Sequence, residues 1–84
     1  MASISSDLKT KLQSNPRSVV NLIVRLKEDP SQRVASIQSR GFKIRRTISL
    51  ISAVALQGTG SAALDLAKES WVLSIEEDKI VHTM

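Results

Sequence analysis

The residues able to do chemistry are few and gather near one end of the chain. "SIEEDKIVHTM", residues 74–84, holds three consecutive carboxylates, Glu76, Glu77 and Asp78, together with the only histidine, His82. No cysteine is present to act as a nucleophile or thiolate ligand. Catalysis by a nucleophile–base pair, or by separated acid and base groups, needs partners brought together from several segments, and the acidic run has none at such spacing. A single histidine without a ligand pattern makes a poor metal site. The sequence therefore points away from an enzyme, and neither a cofactor nor a metal is expected.

The peptide beyond the carboxylates has a different character. "KIVHTM" carries β-branched Ile80, Val81 and Thr83, contains no Gly or Pro, and places Val81 three residues before Met84. Such a segment is predisposed to lie extended, and is suited to pairing with the strand edge of another protein. Two other stretches compete for attention. "RGFKIRR" (40–46) is basic enough to attract phosphates, and the glycines of "QGTG" (57–60) suggest a small-ligand loop. Sequence-tolerant nucleic-acid binding on a sheet uses aromatics as stacking platforms, however, and the central apolar run "LISAVAL" has none. The residues argue against nucleic acid, and the glycine spacing matches no phosphate loop.

The elements that must position these residues follow from periodicity. With 84 residues the chain holds one core, built from aliphatics because Phe42 and Trp71 are the only aromatics. "VVNLIVRL" (19–26) alternates as a strand with one solvated face; "EDPSQRVASIQSRG" (28–41) reads as a short helix, with Asp29 or Ser31 as cap and Gly41 as stop. "FKIRRTI" (42–48) alternates again, with Arg46 on the apolar side as an exception. "LISAVAL" (50–56) reads as a central strand, "QGTGS" as a loop, "SAALDLAKES" as a helix capped by Ser61, and "WVLSIEED" (71–78) as the last strand. Ahead of these, Ile4, Leu8 and Leu12, spaced by four, predict a short helix or arm capped by Ser3 or Ser6. The order βαββαβ is that of an α+β, ferredoxin-like split βαβ fold: a four-stranded antiparallel sheet with two helices on one face.

Charge is divided along the chain. Residues 1–46 hold ten Lys/Arg against three acids, a net of +7, whereas residues 47–84 hold Lys68 and Lys79 against five acids, a net of −3. No stretch approaches the roughly 20 apolar residues of a membrane helix. No secretory signal is visible either, so a cytoplasmic location is expected for the chain as written, and a secreted one for a fragment of a longer precursor.

Taken together, "NLIVRLKEDPSQRVASIQ", "SAVAL" and above all "WVLSIEEDKIVHTM" resemble the subtilisin propeptide-like inhibitor family, which comprises the pro-domains of subtilisin-type serine proteases and their free-standing inhibitory relatives. The likeness covers residues 19–84, and its most specific part is the ending: apolar strand, Glu-Glu-Asp, one residue, an aliphatic, one residue, His and two more. The resemblance implies a substrate-like inhibitor of a subtilisin-type serine protease, monomeric when free, and also a folding chaperone where the chain is cut from a protease precursor. It divides the chain into an N-terminal arm or short helix (1–18), an inhibitor domain (19–78) and an inhibitory tail (79–84). It also implies that the outer sheet face rests on two protease helices whose N-termini meet Glu76 and Asp78, and that Ser52, Val54 and Leu56 contribute to that face. The tail would enter the substrate cleft with Met84 in the primary pocket, Thr83 and His82 next along it, and Val81 in the apolar pocket three residues upstream. Ending at Met84, it would lie there as a cleaved product does. The stretch between the helices is shorter and more basic than in many members, and the N-terminal arm is additional. The alternative of another class is a nucleic-acid or small-ligand binding module on the same fold.

Overall fold

The computed structural model describes residues 2–78. Alternation decides the central strand: along β2, Val19–Leu26, the side chains of Val20, Leu22, Val24 and Leu26 are buried, while Val19 and Arg25 are exposed. Around it are β1 (Ser3–Ile4), α1 (Ser6–Ser14), α2 (Val34–Ser39), β3 (Lys43–Ile48), β4 (Ala53–Thr59), α3 (Gly60–Leu66) and β5 (Val72–Glu77). The result is a mixed α+β fold whose sheet has the order β1-β5-β2-β4-β3. The sheet has five strands rather than four, because Ser3 and Ile4 pair in parallel with Ser74 and Ile75. All other neighbouring pairs are antiparallel.

α1 and α3 start where a side chain satisfies a free backbone N–H, whereas α2 has no side-chain cap of its own. The Ser5 hydroxyl accepts from the Leu8 amide at 3.2 Å, so Ser5, rather than Ser3 or Ser6, caps α1. Ile4 is left in β1, and Leu8 and Leu12 alone form the helix's buried stripe. Asp29 caps a 3₁₀ turn, Pro30–Gln32, that leads into α2, its carboxylate accepting from the Ser31 amide at 3.0 Å. Thr59, not Ser61, caps α3 by accepting from the Ala62 amide at 3.3 Å.

The strand expected at residues 50–56 is displaced. Ser49–Ile51 form a 3₁₀ turn, Ser52 adopts a left-handed conformation with φ 50°, and β4 then runs through Gln57, Gly58 and Thr59. Gly58 belongs in that strand because the Phe42 ring lies directly over it: a Cβ there would stand 2.2 Å from Phe42 Cδ1. The glycine that suggests a loop is thus a seat for the neighbouring aromatic.

One apolar cluster fills the space between sheet and helices. It joins Leu8 and Leu12 of α1, Ile37 of α2, and Ala63 and Leu66 of α3 to Leu22, Val24, Val54, Leu56 and Ile75 of the strands. The first 18 residues therefore contribute to the same core as the rest. Among the described residues, no helix is long and apolar enough to cross a membrane.

Candidate partner-binding face

The helices cover one face of the sheet and leave the other open. In an antiparallel pair, directly opposite residues share a face. Val24 opposes both Val54 and Ile75, and all three are buried in the core, so their neighbours along each strand point the other way. The open face accordingly carries Asn21, Ile23 and Arg25 of β2, Ala53, Ala55 and Gln57 of β4, and Ser74 and Glu76 of β5.

This parity corrects the expected contacts on β4. Val54 and Leu56 are fully buried beneath the helices and are not part of the open face. "LISAVAL" is apolar on both sides, so its composition could not say which set faces inward; register with β2 decides it. Ser52 lies in the turn before β4, where its carbonyl accepts from the Leu26 amide at 2.7 Å.

The acidic run is split by the same alternation. Glu77 opposes Leu22 on the helix side and forms an ion pair with Lys11 of α1. Glu76 opposes Ile23 on the open face and is exposed, with no ion pair among the described residues. Asp78 follows the strand, its amide donating to the Asn21 carbonyl at 2.9 Å. Its carboxylate is only 19% exposed and lies 3.7 Å from the Arg45 guanidinium.

Arg45 reaches it because β3 bulges. The register shifts between Ile44, opposite Leu56, and Arg46, opposite Ala55, leaving Arg45 as the extra residue. Arg46 thereby joins the open face instead of the apolar side that its place in the alternation suggests. Arg45 and Arg46, with Ala55 and Asp78, line a cleft on this face. The sheet thus presents a basic side at β3 and an acidic side at β5, with small Ala53 and Ala55 between them. Both aromatics lie elsewhere: Phe42 is buried in the core, and Trp71 lies under Arg33, whose guanidinium carbon is 4.9 Å from the ring centroid.

Val81, His82, Thr83 and Met84 lie outside the described residues. Among the residues described, no three acidic or histidine side chains gather as a metal site. Compared with models of known protein families and with curated proteins, the chain gives no match.

Proposed function

We propose that this chain is a substrate-like inhibitor of subtilisin-type serine proteases, built on a ferredoxin-like split βαβ framework. The strand order β5-β2-β4-β3, with α2 between β2 and β3 and α3 between β4 and β5, supports the framework. The observation that carries the functional reading is at β5. Alternation presents Glu76 on an open sheet face, Asp78 follows the strand's last residue, and the extended-type sequence "KIVHTM" comes next.

Two helix N-termini of a protease, each with unpaired N–H groups and partial positive charge, are suitable partners for these carboxylates. Each contact contributes about 0.3–1 kcal/mol when exposed, enough to orient a partner and too little to hold it. Holding falls to the tail: backbone pairing in the substrate cleft, and burial of Val81 and Met84 at roughly 1.5–3 kcal/mol each before ordering costs. The small side chains of Ala53 and Ala55 leave the middle of the open face low enough for helices to approach. A folding-chaperone role follows only for a chain released from a protease precursor.

The competing reading, a nucleic-acid module, draws on Arg45 and Arg46 on the open face. The absence of any aromatic there removes the stacking platform it needs. Titrating subtilisin with the protein in a chromogenic peptide assay tests the proposal. Inhibition that weakens several-fold in Glu76→Gln is expected; full protease activity at excess protein would reject it.

A further inference from the structure

Arg45 occupies an unusual place. It is the inserted residue of the β3 bulge, on an edge strand, yet its guanidinium approaches groups belonging to β2 and to the end of β5. Nη1 lies 3.5 Å from Asn21 Oδ1 and 3.7 Å from Asp78 Oδ2. Two features make this reach possible. The bulge turns Arg45 onto the open face beside Arg46, which is a standard effect of an extra residue on side-chain direction. Ala55, one strand in, is too small to block the path across β4, and it is itself only 1% exposed although it lies on the open side.

The groups that Arg45 meets lie where the end of β5 is joined to β2. Asn21 receives the Asp78 amide through its backbone carbonyl and the guanidinium through its side chain. Asp78 is thus held at both its amide and its carboxylate, immediately before residues 79–84. We propose that Arg45 is a positioning residue for Asp78: by holding its carboxylate across the open face, it fixes that acid at the end of β5 for a docking partner. The effect on inhibition rests on the protease reading above; the effect on Asp78 itself does not.

The test compares wild type, Arg45→Gln and Arg45→Lys in two measurements. Amide hydrogen exchange at Asp78 in the free protein should quicken about two- to five-fold in Arg45→Gln, the span expected for a partly exposed ion pair, while exchange at Leu56 stays unchanged. Inhibition of subtilisin should weaken by a similar factor, with Arg45→Lys keeping part of both effects. In an Asp78→Asn background, Arg45→Gln should add nothing to the loss of inhibition. An unchanged Asp78 exchange rate in Arg45→Gln overturns the inference whether or not the protein inhibits. So does an equal loss in the Asp78→Asn background, which would mean that Arg45 touches the protease directly. A wild type that does not inhibit removes the protease reading alone, and Asp78 exchange still decides the role of Arg45.

Discussion

Gly60 shows how closely single residues constrain this fold. A Cβ at that position would stand 2.7 Å from the Leu12 carbonyl oxygen and 3.0 Å from that of Asn15, both of them backbone atoms at the end of α1. Neither can swing aside as a side chain would, so α1 and α3 must separate. Gly60→Ala should cost about 1–3 kcal/mol, and each kcal/mol lowers the melting temperature by roughly 4–8 °C in a domain of this size. Thermal denaturation followed by circular dichroism checks this. Ser52 offers the opposite case. Its φ of 50° strains an ordinary L-residue, and asparagine tolerates that region better, so Ser52→Asn should raise the melting temperature by a few degrees, about 1 kcal/mol at most. Positions of this kind leave a faint trace in a sequence. Gly58 and Gly60 suggest a loop on composition, whereas each is required by what lies against it, the Phe42 ring in one case and the end of α1 in the other.

At the scale of elements, α1 and the edge strand β3 with the turn after it are expected to differ most in local stability. Leu12 on α1 is fully buried in the common core. Leu12→Ala should therefore destabilise the whole molecule by about 2–5 kcal/mol, measurable as a shift in the denaturant midpoint, rather than loosen an appendage. β3, by contrast, is an edge strand paired with β4 alone, and the turn after it exposes Leu50 at 96%. Limited digestion with chymotrypsin should cut first after Leu50, as read by mass spectrometry; a first cut inside α1 would contradict this ranking. Legibility in the sequence follows the same division. β2 is plain because every second residue, Val20, Leu22, Val24 and Leu26, is apolar and buried, even though Ile23 interrupts the polar side. β1, two residues long, is too short to have a period. Leu50 and Ile51 read as strand because they are apolar, and nothing local reveals that they form a turn. The bulge at Arg45 is equally silent, since an inserted residue becomes visible only when the opposite strand is in place.

For the molecule as a whole, the open face and the acidic strand that borders it are the features that carry the account. Glu76 and Asp78 are candidate contacts through the family resemblance alone; the register with β2 adds that Glu76 lies on the open face. Val54 and Leu56 lie on the helix side rather than the open face, a distinction that an all-apolar run does not carry in its own pattern. The edge at β3, with Lys43, Arg45, Arg46 and a bulge, is poorly suited to pairing with another copy, and sedimentation should give a monomer at micromolar concentration. The most direct measurement is a comparison of the full chain with a variant lacking Val81–Met84, both titrated against subtilisin and both melted. The account predicts that inhibition is lost while the melting transition stays within a few degrees of wild type. Inhibition that survives the deletion would contradict it.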